Sequence, residues 1–171
     1  GEVRDLAITP DGEKVYLATV YTGLYVLMTR NNSLAQVLDV PCPTAVIISP
    51  TDQRAYVSYQ CSPAPGSSGH DPLYIFDTRT DRVVARIYQL PDGKRWANVG
   101  GSLALSSDGL YVWVNGIDAC SSPAYEEDTA HNTEGCHRLE PGERRAGRGI
   151  INIINTRTLE VTALGFHGSD P

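Results

Sequence analysis

Long apolar runs are missing from this chain. No stretch approaches the ~20 continuous apolar residues that a membrane-crossing helix needs. A basic excess is missing too: fourteen Lys and Arg stand against twenty Asp and Glu, for a formal charge of -6. That balance argues against general nucleic-acid binding, in which a basic face supplies the affinity. Gly1-Glu2-Val3-Arg4-Asp5 do not have the make-up of a signal peptide. No window sustains a 3.6-residue apolar period, so helices are expected to be few. The sequence contains no Gly-x-Ser-x-Gly elbow, no phosphate-cradling glycine loop and no His-Glu-x-x-His. What remains, 171 residues with 41% apolar and 20% charged, suits one folded domain or a slice of a larger one.

Within that length a pattern recurs three times. Its first half reads Leu6-Ala7-Ile8-Thr9-Pro10-Asp11-Gly12-Glu13-Lys14-Val15-Tyr16-Leu17, then Val46-Ile47-Ile48-Ser49-Pro50-Thr51-Asp52-Gln53-Arg54-Ala55-Tyr56-Val57. It returns as Leu103-Ala104-Leu105-Ser106-Ser107-Asp108-Gly109, running on to Val112-Trp113-Val114. Each copy is an apolar strand, a tight turn and a second strand carrying an aromatic at one offset: Tyr16, Tyr56 or Trp113. The second half reads Leu24-Tyr25-Val26-Leu27-Met28-Thr29-Arg30-Asn31, Leu73-Tyr74-Ile75-Phe76-Asp77-Thr78-Arg79-Thr80 and Ile151-Asn152-Ile153-Ile154-Asn155-Thr156-Arg157-Thr158. A further apolar strand follows each. Four short strands in ~40–45 residues, with turn chemistry between them, predict a blade of a β-propeller. The expected fold is therefore all-β: three four-stranded antiparallel blades forming a partial or half propeller. Blade 1 covers about 4–40, blade 2 about 41–94, and blade 3 about 95–171 with a long insertion over 116–149.

Residues 9–18 (Thr-Pro-Asp-Gly-Glu-Lys-Val-Tyr-Leu-Ala) and 73–87 (Leu-Tyr-Ile-Phe-Asp-Thr-Arg-Thr-Asp-Arg-Val-Val-Ala-Arg-Ile) resemble YVTN-type, surface-layer-like propeller repeats. Such repeats occur in bacterial and archaeal surface and secreted proteins. The resemblance covers most of the chain outside two long loops. It implies a fold, not a function, because propellers host many activities. The third unit departs from it, with Ser107 at the turn proline and Asn155 at the place of Asp77. WD-repeat marks are absent. Propellers close with roughly four to eight blades, so three blades imply either a portion of a larger propeller or two copies completing a ring.

In such a blade the first and third turns share one side and the other connections share the opposite side. The first and third turns are all short here. The second connection is short in blade 1 (Tyr21-Thr22-Gly23) but runs from Cys61 to Pro72 in blade 2 and from about Gly116 to Gly149 in blade 3. Loops beyond ~12–15 residues in a compact domain are usually functional or disordered. The side bearing both is expected to bind a protein, a glycan or a small ligand. The candidate contact residues are His70, Asp71, Trp96, Asn98, Tyr125, Arg144 and Arg145. Trp96 lies in the link from Gln89 to Gly100 beside Lys94 and Arg95, and can serve as a contact or as a wedge between blades.

Counting outward from the turn at Thr51 and Asp52 brings Cys42 and Cys61 opposite each other across a hairpin, though a slip of one residue spoils the geometry. Cys120 and Cys136 can staple the long third loop, a closure worth ~3 kcal/mol. Two local pairings point to an oxidising compartment: secreted, periplasmic or cell-surface. Free thiols in a cytosolic protein are the other reading. Cys120, His131, Cys136 and His137 are soft ligands in one loop, but their spacing matches no common zinc pattern, and no metal or cofactor is expected. Asn31-Asn32-Ser33 is a glycosylation sequon in form, placed in a tight turn.

A non-enzymatic binding propeller is thus the leading functional expectation. The alternative is part of a catalytic propeller, similar to lactonases or lyases built on this fold, with its site mostly in blades outside this chain. The apolar first strands favour binding.

Overall fold

The computed structural model describes residues 1–20, 22–59, 73–87, 96–97, 102–118 and 149–166. They form three antiparallel sheets and, among the described residues, no helix. Sheet 1 contains β1 (Val3–Ile8), β2 (Lys14–Thr19), β3 (Gly23–Met28) and β4 (Ser33–Leu38) in that spatial order. Sheet 2 contains β5 (Pro43–Ile48), β6 (Arg54–Tyr59), β7 (Leu73–Asp77) and β8 (Arg82–Ile87), again in chain order. Sheet 3 adds the short β9 (Trp96–Ala97) to β10 (Leu103–Leu105), β11 (Tyr111–Asp118), β12 (Gly149–Asn155) and β13 (Val161–Phe166).

Two boundaries differ from the sequence reading. Trp96 does not sit in a plain link: β9 pairs with the far end of β11, Asp118 against Trp96. Strands β11 and β12 also pair past Val114, as far as Ile117 against Gly149. Apolar composition alone did not show this, because Asn115, Gly116 and Asp118 interrupt the strand pattern. The ladder between backbones carries the pairing outward regardless of side chain.

Alternation along each strand gives every sheet two apolar faces. The face carrying the repeat aromatic is here termed the front. Tyr16, Ala18 and Val26 on the front of sheet 1 share a core with Val46, Val57 and Phe76 on the back of sheet 2. Tyr56, Leu73 and Ile75 on the front of sheet 2 share a second core with Val112, Val114 and Ile154 on the back of sheet 3. The sheets therefore stack front to back, and the middle one is covered on both sides. That explains why Ala55 to Ser58 and Leu73 to Phe76 are buried without interruption. It is the continuous apolar run expected of a strand with no solvent face.

The stack narrows along one side. The backbone of β1 runs close to β5, and β5 runs close to β10, whereas β4, β8 and β13 have no comparable neighbour in another sheet among the described residues. The three sheets form an open stack rather than a closed ring.

Turn glycines report on that packing. Gly12 and Gly109 occupy the same turn position, with φ of 74° and 72°. A Cβ on Gly12 meets nothing within 4 Å, while one on Gly109 lies 2.5 Å from Thr51 Oγ1 in the neighbouring sheet. Gly12→Ala therefore carries only the left-handed strain of about 1–2 kcal/mol. Gly109→Ala carries that strain plus a clash, and thermal unfolding should rank it clearly lower. Adding Thr51→Ala should recover part of the loss in the Gly109→Ala background and none in the Gly12→Ala background.

Candidate functional site

The two edges of the stack differ in the length of the connections they carry. On the short-turn edge each sheet is stitched to itself. Thr29 Oγ1 donates to Gly12 O at 2.6 Å, Thr78 Oγ1 to Gln53 O at 2.9 Å and Thr156 Oγ1 to Gly109 O at 2.9 Å. Side chains close the turns themselves: Thr9 Oγ1 donates to Asp11 Oδ1 and Ser106 Oγ to Asp108 Oδ1, both at 2.6 Å. Asp77 Oδ1 accepts from the amides of Arg79 and Thr80, and Asn155 Oδ1 from those of Arg157 and Thr158.

The same edge clasps sheet to sheet. Lys14 Nζ reaches from sheet 1 to Thr78 O at 2.8 Å and Asp81 Oδ2 at 2.7 Å in sheet 2. Tyr16 OH donates to the other oxygen of Asp81. One repeat later Arg54 Nη1 donates to Thr156 O at 2.5 Å in sheet 3. There Leu159 stands where Asp81 stood, both with φ near 60° (61° and 55°), and it packs against the second core. Tyr56 OH turns instead to Asp52 Oδ2 at 3.1 Å. Burial and the nearby carboxylates push both phenols well above the ordinary tyrosine range.

Three turn carboxylates are held below the usual carboxylate value. The leading causes are the Thr9 hydroxyl for Asp11, the Thr80 amide for Asp77 and the Ser106 hydroxyl for Asp108. A carboxylate depressed in the folded state binds fewer protons there than in the unfolded chain. Its contribution is complete above the unfolded value of 3.8 and is lost as pH falls below that toward the folded value. The third repeat shows that Asn serves the same turn as Asp77. Asp77→Asn should therefore unfold near the wild-type temperature at pH 7, yet lose less of its stability between pH 4 and pH 2. An equal acid-induced loss in both proteins, followed by calorimetry, would count against the turn carboxylate as a source of acid sensitivity.

The opposite edge carries the connections 60–72 and 119–148, since β6 ends at Tyr59, β7 starts at Leu73, β11 ends at Asp118 and β12 starts at Gly149. Beside the first of these sits an aromatic and cationic cluster. Arg86 lies over the Tyr74 ring at 5.0 Å, and the Tyr59 and Tyr74 rings meet edge to face at 6.1 Å. Thr44 and Ser58 hydroxyls pair at 3.1 Å close by on the same hairpin. None of these was singled out from sequence; Tyr59 and Tyr74 read as strand residues, and only their place at a strand end beside a long connection marks them. Trp96 is brought to this sheet 3 edge through its pairing with Asp118. His70, Asp71, Asn98, Tyr125, Arg144 and Arg145 lie outside the described residues, as do Cys61, Cys120 and Cys136. Cys42 is not a free thiol and holds φ of 44° just before β5. Asn152 was also unremarked. It occupies the repeat position of Tyr25 and Tyr74, is buried, and has no hydrogen-bond partner for Oδ1 among the described residues.

Among the described residues no group of three or more His, Cys, Asp or Glu is arranged to hold a metal ion. No helix is long and apolar enough to cross a membrane. No protein-family model matches the chain, and no curated protein matches it. Among solved structures it is similar to one described as "KlHsv2 with loop 6CD replaced by a Gly-Ser linker", at 10% identity and a TM-score of 0.47. The likeness covers 96% of this chain and 40% of that one, so the chain spans about two-fifths of its length. At that level the likeness assigns neither a family nor an activity.

Proposed function

We propose that the chain is a run of β-propeller blades that binds a protein, glycan or small ligand through the edge bearing connections 60–72 and 119–148. The observation that carries this is the asymmetry of connection length between the two edges. On the short-turn edge the connections are tight, closed by Thr29 and Thr78 hydroxyls on their own sheets and tied to the next sheet by Lys14 and Arg54. The other edge receives the long connections, and beside the first of them Arg86, an exposed residue, lies over the buried Tyr74 ring. The narrowing of the stack along β1, β5 and β10 supports blades arranged about an axis. The YVTN-like residues at 9–18 and 73–87 support the same reading and a bacterial surface or secreted setting.

Disulfides belong to the same proposal: Cys42 with Cys61, and Cys120 with Cys136. The observed register makes the first pair demanding. Val46 pairs Val57, but a bulge at Thr44 shifts the ladder so that Pro43 pairs Tyr59. The position opposite Cys42 then falls one residue short of Cys61, and the left-handed turn at Cys42 must make up the difference. Never-reduced protein in denaturant should show no reactive thiol. Four reactive thiols would overturn the extracytoplasmic placement.

The binding edge is tested by replacing 119–148 with a short Gly-Ser bridge and screening both proteins on a glycan array and a peptide library. The shortened chain should keep cooperative unfolding and lose the wild-type binding profile. Retention of that profile, or no binding by the wild type, would count against the proposal.

A further inference from the structure

The two junctions between sheets follow one plan but are filled differently at the long-connection end. In the first junction, that end of the sheet 2 back carries Tyr59 and Tyr74, with Arg86 over the Tyr74 ring. The front of sheet 1 contributes Ala18 and Leu24 to the same core. In the second junction, the pairing registers place Gly116, Asn152 and Ala163 of sheet 3 at the positions of Tyr59, Tyr74 and Arg86. Two phenol rings and a guanidinium stem give way to a hydrogen, a carboxamide and a methyl group. On the front of sheet 2, Ser58 stands where sheet 1 has Ala18. Bulk is lost and polarity gained at the same end of the same junction.

The polar groups there are buried and only partly used. Asn152 pairs with Val114 and alternates with Ile154, so its side chain points into the second junction with theirs. It is 2% exposed, and its Oδ1 has no hydrogen-bond partner among the described residues. A buried carbonyl oxygen without a donor is costly, and native folds rarely leave one. Ser58 is fully buried and points the same way as Tyr56, and its hydroxyl pairs with that of Thr44 at 3.1 Å. Such a pair uses one of its two protons and leaves the other to donate. Leu73, Ile87 and Val114 belong to the surrounding apolar core. None of these side chains is ionisable.

We propose that this end of the second junction is a binding site for a neutral sugar, one hydroxyl of which donates to Asn152 Oδ1. A few placed polar groups in an apolar setting is how small-ligand sites are built. Sugar hydroxyls both donate and accept, which suits an unsatisfied carbonyl and a hydroxyl pair with a proton to spare. Sugar C–H faces suit Leu73, Ile87 and Val114. A charged ligand would be buried here without a counter-ion among the described residues. A peptide would bring a row of backbone N–H and C=O groups, for which three polar side chains are too few. Both walls belong to adjoining sheets within the chain, so further sheets at either end leave the site unchanged. The site lies at the edge proposed above for binding, rests on that reading, and narrows the ligand to a carbohydrate.

Nuclear magnetic resonance titration of the full chain with glucose, galactose and mannose tests it, read on the Asn152 side-chain amide and the methyl groups of Leu73, Ile87 and Val114. At least one sugar should shift these signals together and saturably. Asn152→Leu gives up no hydrogen bond, so it should keep the wild-type circular dichroism spectrum and bind that sugar at least tenfold more weakly. Ser58→Ala restores the residue that sheet 1 carries and should weaken binding at least threefold; it carries the test if Asn152→Leu does not fold. The corresponding uronic acid should bind at least tenfold more weakly than the neutral sugar. Unmoved signals with all three sugars would overturn the inference, as would wild-type affinity in the variants. A water held on the Asn152 amide that no sugar displaces would do the same. Retention of the array binding profile by Asn152→Leu, with its loss on replacement of 119–148, would overturn the sugar site and leave the binding edge standing.

Discussion

Asp81→Ala should destabilise the chain by about 3–5 kcal/mol, the usual consequence of removing one member of a largely buried ion pair. Lys14 and Asp81 side chains are only 16% and 12% exposed. Loss of the carboxylate leaves the ammonium with the Thr78 carbonyl as its remaining partner and strips the Tyr16 hydroxyl of its acceptor. The second junction shows how such a site is built without the charge, since Leu159 replaces the aspartate and packs against the core. The double variant Lys14→Met with Asp81→Leu should therefore lose much less than Asp81→Ala alone. Chemical denaturation of the wild type, Lys14→Met, Asp81→Leu and the double variant gives the coupling. A coupling near zero would mean that the clasp is surface decoration.

Truncation in the middle sheet should cost as much but act in opposite directions. Ile75 and Phe76 are neighbours in β7, yet Phe76 belongs to the core shared with sheet 1 and Ile75 to the core shared with sheet 3. Phe76→Ala should lose about 3–5 kcal/mol and Ile75→Ala about 2–5 kcal/mol. Denaturation alone cannot tell the two cores apart. Hydrogen exchange can: Phe76→Ala should speed exchange mainly in β2 and β3, and Ile75→Ala mainly in β11 and β12. The same exchange pattern in both variants would mean that one shared core, rather than two, holds the sheets.

The repeat made the strands legible, because turn residues and the aromatic offset recur at fixed distances. Thr9-Pro10-Asp11-Gly12 and Ser106-Ser107-Asp108-Gly109 close their turns through the same side-chain contacts despite the missing proline. The hydroxyl and carboxylate make that turn, so Ser107 costs it nothing visible. What sequence could not give was which sheet touches which. Lys14 and its partner Asp81 are far apart along the chain, and only the stacking brings them to 2.7 Å. The bulge at Thr44 was equally hidden. A count outward from the turn assumes an unbroken ladder, and one extra residue shifts every position beyond it. The site was least legible of all, since Tyr59, Tyr74 and Arg86 acquire their cluster from cross-strand geometry rather than from any local motif.

The stack is tested most directly by aromatic-to-methyl nuclear Overhauser effects in a methyl-labelled sample. Contacts from the Tyr16 ring should reach methyl groups of sheets 1 and 2 and none of sheet 3. Those from the Tyr56 ring should reach methyl groups of sheets 2 and 3 and none of sheet 1. Both rings reporting one common set of methyl groups would describe a two-layer sandwich and contradict the front-to-back arrangement.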